Sequence, residues 1–109
     1  MTEFLQVTTT TGKRHDAEQI AADLISRQLA ACVQLSGPIV STFRWQGKVE
    51  TVEEWVCTIK TSLEKMPGIR AAFAEIHPYE VPELIATPIV DGGEAYLQWL
   101  KKELGGDQS

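Results

Sequence analysis

Cys32 and His77 are the residues of this chain best suited to chemistry, because a thiol and an imidazole together make a soft metal site or a thiolate with a basic partner. With 2 cysteines and 2 histidines in the whole chain, the alternatives are few. Cys57, beside Val56 and alternating with Trp55 and Ile59, reads as core. Cys32 also has a plain reading as a small buried hydrophobe, since free cysteine is among the most buried residue types. His15, in the polar run Lys13-Arg14-His15-Asp16, reads as a solvated loop residue that could add surface metal affinity. His77 closes an apolar-periodic segment, where an imidazolium would interact favourably with a helix C-terminus.

The carboxylates of Glu50, Glu53 and Glu54, and of Glu80 and Glu83, could take hard cations, but the spacing and fixed glycine of a calcium loop are missing. Solvated faces or ion pairs crossing between subunits describe them better. Trp45, Tyr79, Tyr96 and Trp99 are expected at subunit seams, where aromatic rings bring large area with a polar handle. An ordinary core is the competing reading. Tyr79 and Glu80 lie in a loop bracketed by prolines, and could instead line a ligand cleft between subunits. No P-loop, dinucleotide fingerprint, nucleophile elbow, H-E-x-x-H or C-x-x-C is present, and the Thr-Gly-Lys turn at 11–13 hints only weakly at anion binding.

Alternation and helical spacing give the elements that must position these groups. Phe4 to Thr9 is β-branched and apolar and predicts a strand. Ala17, Ile20, Ala21, Leu24, Ile25 and Leu29 recur at three- and four-residue spacing and predict a helix from Asp16, with Asp16 as N-cap and Gln19 three residues on. Ala31 to Trp45 and Val49 to Thr61 predict a long hairpin turning at Gln46-Gly47-Lys48, with a bulge or bend at Gly37-Pro38. A second helix is expected from about Ser62 or Pro67 to Ile76 and stops at His77-Pro78. Leu84 to Val90 predicts a last strand, and Tyr96, Leu97, Leu100 and Leu104 a third helix ended by Gly105-Gly106. The order β-α-β-β-α-β-α gives an α+β class: a ferredoxin-like βαββαβ motif plus a C-terminal helix, in a single domain over residues 1–109. Two helices cover one sheet face, so the other face and the long hairpin need a partner, most simply another copy.

The 10 Lys and Arg against 15 Asp and Glu leave a net charge of −5, the wrong sign for nucleic acid or an anionic membrane surface. Two cysteines fit reduced thiols better than a disulfide scaffold, and neither a leader-like start nor a spanning apolar run is visible. A cytoplasmic protein is therefore expected.

The chain also resembles the CutA family of divalent-cation-tolerance proteins. The likeness runs from about Phe4 to Leu104 and rests on LAACVQL at 29–35, FRWQGKVE at 43–50, KT at 60–61, HPYEVPEL at 77–84 and YLQWL at 96–100. It implies a tight homotrimer with sheets turned inward, similar to the PII-like architecture, and a role in tolerance of metals, mostly copper, or in signalling or protein association. In copper-binding relatives the resemblance implies a Cys at the end of the first strand and a second His before HPYE. Thr9 and Ile76 stand at those positions here, so any copper or other divalent metal is expected to bind weakly, at Cys32 and His77. No cofactor is expected to be required, and no enzyme activity. The alternatives are a signalling or association trimer without a metal role, and a thiol-dependent enzyme using Cys32 and His77.

Overall fold

Strand β1, Phe4–Thr11, alternates Leu5, Val7, Thr9 and Thr11 toward one side, where all four are buried. The computed structural model describes residues 3–105. Helix α1, Arg14–Ser26, lays Ala17, Ile20 and Leu24 on that side of the sheet, as their spacing predicts. Two details differ from the sequence reading. The helix starts two residues earlier than expected, with Lys13 as N-cap, so Asp16 sits inside the first turn, where its charge still favours the helix dipole. Ile25 lies at the stripe's margin and is exposed rather than buried.

Strands β2, Cys32–Trp45, and β3, Lys48–Ser62, form the long hairpin. Gln46 and Gly47 both have positive φ, the two-residue turn whose twist suits paired strands. The register breaks between Ser36 and Ile39, which places the expected irregularity at Gly37-Pro38. Gly37 is required there: its φ is +149°, and a Cβ would meet the Trp55 ring at 2.8 Å.

A 3-10 turn at Leu63–Lys65 leads into α2, Met66–Ile76, with Pro67 in its first turn, which reconciles the two starts read from sequence. Strand β4 is shorter than expected, only Ile85–Pro88: Leu84 stays in the preceding loop, and Ile89 and Val90 lie beyond the ladder. Helix α3, Glu94–Glu103, buries Leu100, and Leu104 follows it into the core. Gly105 has positive φ at its end, while Gly106 lies outside the described residues.

The strands run β2-β3-β1-β4, all antiparallel, with α1 and α2 against one face. This is the ferredoxin-like α+β arrangement. Val7, Ile20, Leu24, Cys57, Ile59, Ile69 and Phe73 form its core beneath α1 and α2. The hairpin runs on beyond that core, giving a molecule of 53 × 26 × 22 Å. Along it Ile39, Val40, Phe43, Trp45, Val49 and Val52 stand exposed.

Candidate functional site

His77 leaves α2 in an extended conformation and turns its ring back onto β1. The Tyr79 amide donates to Nδ1 at 3.1 Å, which places the ring proton on Nε2, and Nε2–H in turn donates to the Thr9 hydroxyl at 2.9 Å. Both nitrogens are thus engaged by the neutral ring. Burial holds its pKa below the usual histidine value, against the opposing influence of the Thr10 backbone and of Asp16 and Glu54. The sequence reading of a charged imidazolium at a helix end is corrected: the ring is a neutral clasp between β1 and the loop after α2.

That loop carries Tyr79 onto β3, where its hydroxyl donates to Glu54 Oε2 at 2.7 Å. Burial, with Glu54 and Asp16 adding to it, pushes the Tyr79 pKa up to about 12, so the phenol stays protonated and keeps donating. Glu54 is only 7% exposed, which corrects its reading as part of a solvated acidic face. The register explains its burial. Glu50, Val52 and Glu54 alternate onto one side of β3, opposite Phe43, Ser41 and Ile39 of β2, and the 78–83 loop folds over the end of that strip.

Between strip and loop lies an open groove of about 920 Å³. Phe43, Trp45 and Tyr79 supply its aromatic wall. Its charged lining is Glu50, Glu53, Glu54, Glu80 and Glu83, with no lysine, arginine or histidine. Tyr79, Glu80 and Trp45 therefore do meet at one cleft. Tyr96 and Trp99 do not join it: they stack on each other on α3 with centroids 5.5 Å apart, both partly exposed.

Cys32 is half-buried at the start of β2, opposite Lys60. His77 touches Thr9, which pairs with Cys57, which pairs with Leu35. Cys32 therefore lies two strands and three residues from Thr9, roughly 14 Å by ordinary strand spacings, and on the opposite sheet face. Within one chain Cys32 and His77 do not meet. Among the described residues, no group of three His, Cys, Asp or Glu side chains is placed to hold a metal ion. Cys57 is fully buried in the core, as read, and burial pushes its thiol pKa up to about 11. His15 is exposed as expected, though in the first turn of α1 rather than a loop.

Thr9 and Glu54 were named in the sequence, one as a missing ligand and the other in an acidic face, but not for the contacts they make. Each is recognisable only through a contact distant in sequence, His77 for one and Tyr79 for the other.

Residues 5–103 match the family profile of the CutA1 divalent ion tolerance protein. The chain belongs to the CutA1 family. It is 38% identical over 89 residues to the divalent-cation tolerance protein CutA of Thermus thermophilus, covering 82% of this chain and 86% of that one. It is 40% identical over 86 residues to human protein CutA, covering 79% of this chain but 48% of the human protein, so it spans about half of that relative. The solved CutA of Xylella fastidiosa superposes with a TM-score of 0.90 at 35% identity, covering 94% of this chain and 98% of that one. The CutA family name refers to cation tolerance and not to an enzyme activity.

One expectation is overturned. The CutA structure from Archaeoglobus fulgidus, 34% identical with a TM-score of 0.89 over 93% of this chain and 98% of that one, is described as periplasmic. An Arabidopsis thaliana relative, 36% identical over 84% of this chain and 50% of its own length, is chloroplastic. A cytoplasmic location does not follow from this fold or from two unpaired thiols. No helix among the described residues is long and apolar enough to cross a membrane.

Proposed function

We propose that the protein works in divalent-cation tolerance as a homotrimer that binds a ligand at clefts between subunits, without catalysis. The observation that carries this reading is the hairpin beyond the core. Exposed Ile39, Phe43, Trp45 and Val52 share one face of it and Val40 and Val49 the other, more apolar surface than one chain covers, beside a groove with aromatic and acidic walls. A second copy provides cover on every subunit at once. Tyr96 and Trp99, stacked and partly exposed on α3, supply a further aromatic patch for such a seam.

Copper enters this reading only as a weak ligand. Metal ligation at His77 Nε2 requires that nitrogen to lose its proton, whereas the Tyr79 amide blocks transfer of the proton to Nδ1. Cys32 contributes only if another subunit brings a partner to it. Imidazole and thiolate still rank copper and zinc above magnesium and calcium. A second reading, an association or signalling trimer with no metal role, is favoured by the double engagement of the His77 ring.

Light scattering tests the assembly: a mass near three times the 12.1 kDa chain should persist on dilution, and a stable monomer would remove the reading. Copper calorimetry on the same sample tests the metal. Modest binding weakened by His77→Ala or Cys32→Ser supports the first reading, tight binding indifferent to both shows other ligands, and no binding favours the second.

A further inference from the structure

We propose that the Asp91-Gly92 step, in the connector between β4 and α3, is a site where the backbone rearranges to isoaspartate, the group that isoaspartyl methyltransferases recognise.

The Gly92 amide donates to Asp91 Oδ1 at 2.8 Å, so the carboxyl group is folded back over the nitrogen that follows it. That is the approach ring closure needs, since groups held in contact replace a rare encounter with a standing one. Gly92 adds no Cβ to crowd the nitrogen. Asp91 and Gly92 are both exposed and lie outside strand and helix, so the backbone is free to turn toward the ring and water reaches the product. Backbone pairing stops on either side of them. The Ile89 amide donates to the Phe4 carbonyl and the Leu97 amide to the Gly93 carbonyl, whereas the Gly92 amide is given to its neighbour's side chain.

Asp16 and Asp23 lack this arrangement. Both lie within α1, where the Ala17 amide after Asp16 donates to the Lys13 carbonyl at 3.3 Å and Asp23 pairs with Arg27 at 2.9 Å. The sequence contains no asparagine and no second Asp-Gly step, so deamidation supplies no other route to the same product.

The chemistry needs only water. The Gly92 nitrogen gives up its proton and bonds to Asp91 Cγ, and one carboxyl oxygen leaves as water, closing a five-membered succinimide. Water then re-enters at one of two carbons. Attack at Cγ breaks the new C–N bond and restores aspartate. Attack at the Asp91 backbone carbonyl carbon breaks the original peptide bond, so the chain runs on through Cγ and the former carbonyl becomes a free carboxylate. Mass and charge are unchanged, and the backbone is longer by one methylene. That atom enters where space is short: a Cβ at Gly92 would meet Leu97 at 3.3 Å, so the longer connector displaces the first turn of α3, the helix that buries Leu100.

Ageing the full chain tests the proposal. Folded protein, and a parallel sample unfolded in guanidinium, are held at neutral pH and body temperature, then digested and mapped by electron-transfer mass spectrometry, with methyl transfer by an isoaspartyl methyltransferase as a second readout. Isoaspartate should accumulate at residue 91 of the folded chain as fast as in the unfolded one, with none at Asp16 or Asp23 of the folded chain, and the aged protein should melt at a lower temperature. The signal at residue 91 should be lost in Asp91→Glu, which keeps the charge but would have to close a six-membered ring. Isoaspartate at residue 91 in the unfolded sample alone, its absence from both samples, or a methyl signal undiminished in Asp91→Glu would each overturn the proposal.

Discussion

A relay of three contacts, Thr9 to His77, His77 to Tyr79 and Tyr79 to Glu54, ties β1, the end of α2 and β3 together. Thr9 is fully buried, so Thr9→Val keeps the shape but leaves the Nε2–H without an acceptor. A loss of about 1–3 kcal/mol is expected in urea unfolding, and an unchanged midpoint would show that the bond adds nothing. The same ring sets a pH dependence. Its pKa is depressed in the fold, so its contribution is complete above the unfolded value of about 6.5 and is lost as pH falls through that value toward the folded one. The melting temperature should therefore drop between about pH 7.5 and about pH 5.5, and drop less in His77→Gln. Neither Thr9 nor Glu54 was legible in the sequence. A threonine in a β-branched strand and a glutamate among glutamates look like propensity and solvation, and their roles come from partners 68 and 25 residues away. Cys57 was legible because its strand alternates locally.

At the scale of elements, the strands and helices follow period and punctuation closely, and the misses are at ends. Asp16 has the chemistry of a cap, but the chain enters α1 from an extended Lys13, while the Thr11 hydroxyl donates to the Lys13 carbonyl at 2.8 Å. β4 loses the ends expected of it because its pairing with β1 covers only Leu5 to Thr8. Gly37 shows the reverse case: the bend was readable from Pro38, which cannot donate to the ladder, and the need for the glycine beside it was not. Its φ of +149° and the Trp55 ring and Glu54 carbonyl beside it leave no room for a methyl group. Gly37→Ala should cost about 1–3 kcal/mol and lower the thermal midpoint. An unaltered midpoint would mean the hairpin re-forms without this bend.

For the whole molecule, the sequence indicated that one sheet face and the hairpin lacked cover, and on the hairpin Phe43, Trp45 and Val49 are indeed exposed, while Trp55 packs against the core. Trp45, 44% exposed beside the turn, is the ring with most to bury in a trimer. Trp45→Ala should lower the melting temperature and make the sedimenting mass fall on dilution, while the same change in a protein that assembles through another surface would leave both alone.

The hairpin also makes the protein's maturation depend on its own abundance. A newly made chain can close its core from Val7, Ile20, Ile59 and Phe73 without help, but in the trimer reading the strip from Ile39 to Val52 stays wet until other copies arrive. The last stage of biogenesis is then a collision between molecules, fast where synthesis is brisk and slow where chains are scarce. In that interval the half-finished protein carries a sticky tongue, making it a natural client for holdase chaperones and the stage most exposed to proteases.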